Sequence, residues 1–302
     1  MSKSPHSAPV LTDLRDQWWS ADFLQLLVER LALGECQSIA DIGSGQGHWG
    51  QLLLRLLSGS ATLQGVDRES EWVQRAQERA DSLGLGSRCS YQQGAAETLP
   101  FADEQFDMVT CQTLLMHVAD PKQVLQEMIR ILRPGGRLLL LEPNNVAQQM
   151  IADSVNRALS AEQLAGVFSL FVTCSRGRAA LGRGDDCIGD LLPTLLSDLA
   201  LEDMRVFQNE RVHCIQPPYS AADRDELQQS ANHAENKFWL WDKEDAKALF
   251  EAGGGDPNTF ADCYQAFERR TELFAEQVEA QTYASNNASL HYVVCATRPL
   301  CR

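Results

Sequence analysis

The sequence has no long hydrophobic run. None of its 302 residues lies in a stretch that approaches the roughly 20 consecutive apolar residues of a membrane-spanning helix. Residues 1–11 are polar and rich in Pro and Ser, and they lack the basic and apolar regions of a signal peptide. From these absences we expect a cytoplasmic protein without a membrane segment.

Basic residues are scarce, with 26 Lys and Arg against 41 Asp and Glu, which gives a net charge of −15. An acidic surface repels phosphate backbones and anionic lipids, so the composition argues against a nucleic-acid or membrane partner. The clearest local exception is the basic cluster of Arg176, Arg178 and Arg183. Two interpretations of this cluster stay open, a contact to an anionic substrate group and a solvated loop.

The nine cysteines include no CxxC pair, and their number is odd. A disulfide framework or a zinc site would need paired or clustered spacing that this sequence does not have. We therefore expect reduced thiols, most of them buried, and no metal site.

Strand and helix patterns alternate between residues 38 and 142. Alternation at this spacing predicts right-handed βαβ crossovers and therefore an α/β fold with a parallel, doubly wound sheet. The predicted strands are 38–42, 62–67, 89–93, 106–111 and 137–142, and the predicted helices are 13–33, 48–58, 71–83 and 121–132.

After residue 145 the alternation stops and helical periodicity dominates. Residues 201–215 look like one long strand or a strand pair, and residues 289–298 look like a last strand. Near the N-terminus, Trp18 and Trp19 either pack in the core or close over a ligand pocket. The predicted organisation is a flexible N-terminus at 1–12, a sheet core at 13–145, 201–216 and 289–302, and helical substrate-covering segments at 146–200 and 217–288.

A glycine-rich turn follows the first predicted strand, in the stretch Asp41-Ile42-Gly43-Ser44-Gly45-Gln46-Gly47. Glycines at alternate positions remove Cβ atoms where a backbone turns tightly or lies against a ligand. A strand, a glycine turn and a helix in this order predict a nucleotide-type binding site. Residues 45–50 also fit the pattern GxGxxG, so the turn alone leaves a dinucleotide and a sulfonium cofactor as candidates.

Polar residues at the strand ends narrow the choice between a dinucleotide and a sulfonium cofactor. The Asp41 carboxylate would repel a pyrophosphate, and it would attract a ligand that carries an ammonium and a sulfonium. Asp67 ends the second strand, where its two oxygens suit the two hydroxyls of a ribose or the cap of the next helix. Gln112 follows the fourth strand, at the edge where open α/β sheets bind ligands.

Five segments of the first half of the chain occur in an order that resembles a known family. They are Asp41-x-Gly43-x-Gly45-x-Gly47, Asp67, Gly94-x-Ala96-Glu97-x-Leu99-Pro100-Phe101, Phe106-Asp107-x-Val109 and Leu132-Arg133-Pro134-Gly135-Gly136. As a set they resemble the class I S-adenosylmethionine-dependent methyltransferases, in the broad group of UbiE-like and small-molecule enzymes. The resemblance covers residues 36–143 and implies a Rossmann-like seven-stranded sheet whose last strand inserts antiparallel.

The resemblance also implies roles for individual residues toward the cofactor S-adenosyl-L-methionine. Asp41 and the turn of Gly43, Ser44, Gly45 and Gly47 would hold the methionine portion, and Asp67 would hold the ribose. Arg68, Ala96 and Glu97 would lie beside the adenine, and Gln112 would approach the methionine amine through its backbone carbonyl. Relatives often carry an Asp at the position of Ala95, so the adenine amino group needs another partner here.

The reaction that this resemblance implies is methyl transfer to a small or medium organic acceptor, with O-, N- and C-methylation unresolved. His117, shortly after the fourth strand, is the candidate catalytic base, and Glu142, Asn144 and Asn145 are candidate substrate contacts. Three alternatives stay open. They are a methyltransferase that acts on tRNA or a peptide or protein, an NAD-dependent oxidoreductase, and a non-catalytic protein that binds the cofactor.

Overall fold

The structure is a computed structural model that describes residues 15, 18–149, 153–210, 212–235, 239–288 and 290–300. The predicted flexible segment 1–12 lies outside these residues. The strands are β1 (Ser38–Ile42), β2 (Thr62–Asp67), β3 (Cys89–Gln93), β4 (Phe106–Gln112), β5 (Leu132–Pro143), β6 (Glu202–Gln208), β7 (Val212–Ile215), β8 (Ser285–Ala288) and β9 (His291–Thr297). The helices are α1 (Ala21–Arg30), α2 (His48–Leu54), α3 (Ser70–Ser82), α4 (Pro121–Ile131), α5 (Asn145–Gln148), α6 (Ser154–Ala158), α7 (Ala161–Ala180), α8 (Ile188–Ser197), α9 (Ala221–Glu235), α10 (Lys243–Ala252) and α11 (Phe260–Glu279).

Seven strands form one sheet in the order β3-β2-β1-β4-β5-β9-β6. The first five strands run parallel, whereas β9 pairs antiparallel with β5 on one side and with β6 on the other. The chain order reverses between β1 and β4, which places the carboxyl ends of these two strands at a switch point where α/β sheets bind ligands. The predicted Rossmann-like α/β fold with an antiparallel last strand is confirmed.

Alternate residues of the central strands pack on opposite faces of the sheet. Ile39, Met108 and Leu139 lie in a core with α1 and α2 on one face. Ala40, Val109 and other neighbouring residues lie in a core with α4 and α8 on the opposite face. Both faces are therefore buried, which explains why the parallel strands read as nearly continuous hydrophobic runs.

The chain divides into two units, and the sheet belongs to the first. This unit consists of Met1–Pro143, Ile188–Glu210 and His291–Arg302. The predicted core boundary at residue 200 is corrected, because α8 packs on β5 and β9 and buries Ile188, Leu192 and Leu196 against the sheet. By periodicity alone, this crossover helix looks like one more helix of the preceding helical segment.

The second unit consists of Asn144–Cys187 and Arg211–Leu290. Its main core lies among α7, α10 and α11, where Leu240, Tyr264 and Phe267 are buried. A separate two-stranded sheet pairs β7 antiparallel with β8. The prediction that residues 212–216 belong to the sheet core is therefore wrong, because their pairing partner is β8, a strand that the sequence pattern does not reveal.

Two arginines of the basic cluster in the second unit, Arg178 and Arg183, form ion pairs. Arg178 is buried and donates from Nη1 to Asp186 Oδ1 at 2.5 Å and from Nη2 to the Arg183 carbonyl at 3.0 Å. Arg183 in turn donates to Asp245 Oδ1 at 2.7 Å. Neither open interpretation fits Arg178, which is neither a solvated side chain nor a free cation for a substrate.

Candidate functional site

The glycine turn after β1 takes left-handed backbone at each of its three glycines, with φ of +66° at Gly43, +51° at Gly45 and +79° at Gly47. A Cβ atom at Gly47 would overlap Gln51 Nε2 and would stand 2.7 Å from the Tyr91 hydroxyl. The turn needs glycine there for two reasons, because L side chains disfavour this conformation and because the space is filled.

Asp67, at the end of β2, ties this turn to the neighbouring strand. Its Oδ2 accepts from the Gly45 N–H at 2.8 Å, and its Oδ1 accepts from the Glu69 N–H at 2.9 Å. Burial raises the pKa of Asp67, and these two N–H groups act in the opposite direction. Each carboxylate oxygen can accept more than one hydrogen bond, so the group keeps acceptor capacity for a ligand.

Asp41 lies beneath the turn and is fully buried. Its Oδ2 accepts from the Gly50 N–H at 3.2 Å. Burial raises the pKa of Asp41 to about 7, the nearby Asp67 raises it further, and Arg15 lowers it. A carboxyl that titrates near neutrality becomes ionised when a cation approaches, so Asp41 can respond to a positively charged ligand.

Asp41 shares a small pocket with residues from the turn, from the end of β4 and from the N-terminal segment. The pocket is lined by Arg15, Asp41, Gly43, Ser44, His48, Trp49 and Gln112. Four of the predicted cofactor residues, Asp41, Gly43, Ser44 and Gln112, are therefore brought together. Gly45, Gly47 and Asp67 belong to the same turn and its hydrogen bonds.

Arg15 is one of three pocket residues that the sequence did not single out, together with His48 and Trp49. Arg15 Nη2 donates to Thr113 Oγ1 at 2.6 Å, and its guanidinium lies over the Trp18 ring at 4.6 Å from the ring centre. Burial lowers the pKa of Arg15 to about 10, while Asp41 and Glu142 act to raise it. A single Arg before α1 carries no motif, so only the tertiary structure reveals its place.

Glu142 anchors the segment after β4. Its Oε1 accepts from the N–H groups of Leu114 at 2.9 Å and Leu115 at 2.8 Å, and its Oε2 accepts from Met116 at 3.3 Å. The side chain is fully buried, and burial raises the pKa of Glu142 to about 7 against the effect of these N–H groups. As a candidate substrate contact it is better explained as a support for the backbone that follows Gln112.

The remaining predicted residues range from exposed to buried. His117 is exposed at the end of a 3₁₀ turn, Leu115–His117, which starts in the segment that Glu142 anchors. Arg68 is also exposed and pairs with Glu69 at 3.4 Å. Ala96 and Glu97 follow β3, whose last residue, Gln93, pairs with Asp67. Asn144 caps α5 by accepting from the Ala147 N–H at 2.8 Å, which accounts for its buried side-chain oxygen.

Trp18 and Trp19, for which core packing and a place at the pocket both stayed open, lie in different surroundings. Trp19 is buried in the core of the first unit, with its ring 5.7 Å from that of Trp49 and stacked on Phe23 at 6.1 Å. Trp18 is half-buried and lies against Arg15 and the ring of His291. Trp19 is thus a core residue, whereas Trp18 supports the side of the pocket that Arg15 forms.

Two kinds of feature are absent from the described residues. In that part of the chain, no group of three or more His, Cys, Asp or Glu side chains is placed to hold a metal ion. Among the described helices, none is both long and apolar enough to cross a membrane.

The fold, the glycine turn and its two acids agree with the family comparison. The family model described as "Methyltransferase domain" matches residues 35–254, and the chain belongs to this family. Among curated proteins, it is 33% identical over 153 residues to "Methyltransferase GfsG" of Streptomyces halstedii, covering 51% of this chain and 50% of that protein. It is also 34% identical over 106 residues to "Ubiquinone/menaquinone biosynthesis C-methyltransferase UbiE" of Klebsiella pneumoniae, covering 35% and 42%.

These matches span about half or less of the relatives' length. Among solved structures, YcgJ of Bacillus subtilis superimposes with a TM-score of 0.51, over 93% of this chain and 100% of that one. At 18% identity this likeness shows the fold alone.

Proposed function

We propose that the protein transfers a methyl group from S-adenosylmethionine to a small or medium organic acceptor. Membership in the methyltransferase family supports the reaction type. The observation that carries the choice of cofactor is the buried Asp41 beneath the glycine turn, in a pocket that also holds Ser44 and Gln112. An acid at this place is attractive to a cationic ligand and repulsive to a pyrophosphate.

The residues of the turn fit the parts of this cofactor. Asp67 keeps acceptor capacity for ribose hydroxyls while it holds Gly45 in place. Asp41 offers a carboxyl to the cationic end of the ligand, and left-handed glycines let the backbone come close to it. By the family resemblance, Arg68, Ala96 and Glu97 are proposed to lie beside the adenine.

When bound, S-adenosylmethionine supplies a methyl group activated by a sulfonium. The protein's contribution is alignment of the acceptor and exclusion of water, and alignment of this kind lowers barriers by up to roughly 7–11 kcal/mol. Glu142 serves this alignment by holding the backbone of residues 114–116. His117 is proposed as the base for an acceptor that loses a proton as it reacts. The helical unit is proposed to select the acceptor.

A labelling experiment tests the proposal. The protein is incubated with S-adenosylmethionine that carries a deuterated methyl group, together with a metabolite extract, bulk tRNA or a protein extract in separate reactions. Label in the low-mass fraction is the expected result. Label in RNA or protein would instead establish the macromolecular alternative, and binding of S-adenosylmethionine without any transfer would establish the non-catalytic one.

Calorimetry tests the remaining alternative, an NAD-dependent oxidoreductase. S-adenosylmethionine is expected to bind, whereas NAD is not, because Asp41 would face its pyrophosphate. Binding of NAD without binding of S-adenosylmethionine would overturn the proposal.

A cytoplasmic location is part of the same proposal, and it is supported by cysteines that are free and mostly buried among the described residues.

A further inference from the structure

One face of α4 carries three polar side chains that hydrogen-bond to the segment after β3. Gln123, Glu127 and Arg130 follow one another at helical spacing, so they lie on the same side of the helix. Gln123 Nε2 donates to the Glu97 carbonyl at 3.2 Å. The other two side chains contact the backbone of residues 99–101, so α4 holds this segment at several points along its length.

Glu127 and Arg130 hold both polar groups of the Leu99 backbone. Glu127 Oε2 accepts from the Leu99 N–H at 2.8 Å, and Arg130 Nη2 donates to the Leu99 carbonyl at 3.1 Å. Arg130 Nη1 donates to the Phe101 carbonyl at 2.9 Å, and Arg130 Nε donates to Glu127 Oε1 at 2.8 Å. The Arg130 guanidinium lowers the pKa of Glu127, which keeps this carboxylate ionised. Hydrogen bonds to charged groups are the strong ones, so they fix the segment relative to α4.

A tight turn at residues 95–98 lies at the start of this segment. The Thr98 N–H donates to the Ala95 carbonyl at 3.2 Å, and these two residues pair as an isolated antiparallel bridge. Gly94, directly before the turn, donates its N–H to the Asp67 carbonyl at 2.9 Å, so the turn starts beside the acid proposed for the ribose. Ala95 has no polar side-chain atom, and it therefore offers a ligand only its backbone groups.

We propose that Gln123, Glu127 and Arg130 are positioning residues that hold the 95–98 turn against the base of the cofactor and thereby select adenine. This inference rests on the proposed function and adds the residues that set its base specificity. The three side chains do not touch the base and act through the backbone of residues 97–101. A backbone N–H only donates and a carbonyl only accepts, so a turn that is fixed in one place fits one pattern of donors and acceptors.

S-adenosylhomocysteine and S-inosylhomocysteine are the probes, because they differ only in the base. Hypoxanthine has a carbonyl acceptor where adenine has its exocyclic amino donor, and the ring nitrogen beside it becomes a donor. Dissociation constants for both ligands are measured by calorimetry on the full chain. The wild type is expected to bind the adenine ligand at least about tenfold more tightly, since a mismatched base leaves polar groups unpaired.

Variants of α4 then test the positioning role. Arg130→Met is expected to narrow the preference for adenine to less than about threefold, because the turn is no longer fixed. Arg130→Lys should recover part of the preference, since it returns the charge without the planar fork. Gln123→Ala removes only an exposed side chain that contacts Glu97, so its folding is not at risk. It should still narrow the preference by at least about twofold.

Arg88→Met is the matched control. Arg88 is half-buried like Arg130, and it also donates to loop carbonyls, from Nε to Ala61 at 2.9 Å and from Nη2 to Ser58 at 2.6 Å. These carbonyls lie before β2, at the opposite end of that strand from Asp67. Arg88→Met should therefore lose stability in denaturant unfolding and keep the preference of the wild type for adenine.

The outcomes separate the two proposals. If the wild type binds both ligands equally well, or if Arg130→Met and Gln123→Ala weaken both ligands by the same factor, the positioning role is wrong and the proposed function stands. A preference that narrows as much in Arg88→Met would also overturn the positioning role, because any loss of stability would then have this effect. If the wild type binds neither ligand, the proposed function itself is overturned.

Discussion

At the scale of single residues, the Asp67 carboxylate has a structural role, and it also has the ligand-binding role that we propose. Asp67→Ala removes the acceptor for Gly45 and Glu69 as well as the proposed ribose contact. We expect the free energy of cofactor binding to weaken by roughly 1.5–3 kcal/mol, measured by calorimetry. Asp198→Ala, at an exposed carboxylate paired with Lys122, is the control and should bind normally. An unchanged dissociation constant for Asp67→Ala would refute the ribose role.

The raised pKa of Asp41 predicts that cofactor binding depends on pH. This pKa is about 7, and a cationic ligand favours the ionised carboxylate. Cofactor affinity should therefore rise as pH increases from about 6 to about 7.5, with a proton released on binding, because the ligand binds better to the ionised form. Calorimetry in buffers of different ionisation enthalpy measures that proton. Asp41→Asn should bind more weakly and lose this dependence, and a slope that survives in it would point to another group.

The positions that the sequence predicted best are those at strand ends. Asp41 and Asp67 were predictable because hydrophobic runs place β1 and β2, and the topology then brings their carboxyl ends together. Arg15 was not, because its position in the pocket depends on how the segment before α1 packs, which no local pattern reveals. Glu142 has the same sequence signal as a ligand-binding acid, and only its three N–H partners identify it as a backbone anchor.

At the scale of elements, the turn between β1 and α2 depends on Gly47. Gly47→Ala should lower the free energy of unfolding by about 1–3 kcal/mol, since a left-handed non-glycine residue is strained and the new Cβ meets Gln51 and Tyr91. Denaturant unfolding measures the loss. Gly59→Ala is the matched control, because its added Cβ meets nothing within 4 Å and its backbone is not left-handed. Equal stability of the two variants would contradict this account of the turn.

The end of α7 is held by the buried ion pair between Arg178 and Asp186. Arg178→Met should lower the free energy of unfolding by about 3–5 kcal/mol, because it leaves a buried carboxyl without its partner. The double variant Arg178→Met with Asp186→Leu should recover a large part of this loss, as two apolar side chains leave no unpaired charge. Chemical denaturation of the wild type, the two single variants Arg178→Met and Asp186→Leu, and the double variant gives the coupling, and additive losses would show that the pair does not interact.

Elements were predictable where local and long-range signals agree. The bounds of β1, β2 and β3 match the predicted strands, since each is a short run between clear breaks. Whether α8 belongs to the sheet or to the helical unit depends on which surface its apolar side covers. Periodicity does not contain that information. β8 has the sequence Ser285-Asn286-Asn287-Ala288, which has no strand propensity of its own, so its pairing with β7 is a tertiary effect.

At the scale of the whole molecule, buried carboxyls link folding to pH. The pKa of Glu142 rises from 4.5 to about 7 on folding because of burial, so the folded state holds a proton that the unfolded state has lost between these values. The contribution of Glu142 to stability therefore falls as pH increases from about 4.5 to 7, by up to about 3 kcal/mol. The difference in unfolding free energy between wild type and Glu142→Gln isolates this group and should shift in favour of the variant over that interval. A difference that is constant with pH would contradict the assigned pKa.

The position of β9 between β5 and β6 has a consequence for synthesis. In the described sheet, β6 pairs with β9 alone, and β9 begins at His291, more than eighty residues after β6 ends. A nascent chain on the ribosome therefore exposes the free edge of β5, and it carries β6 unpaired, until residues 291–297 emerge. Unpaired strand edges are templates for aggregation. Translation that stalls in this interval should accordingly leave a chain that depends on chaperones, although most of its residues have already been made.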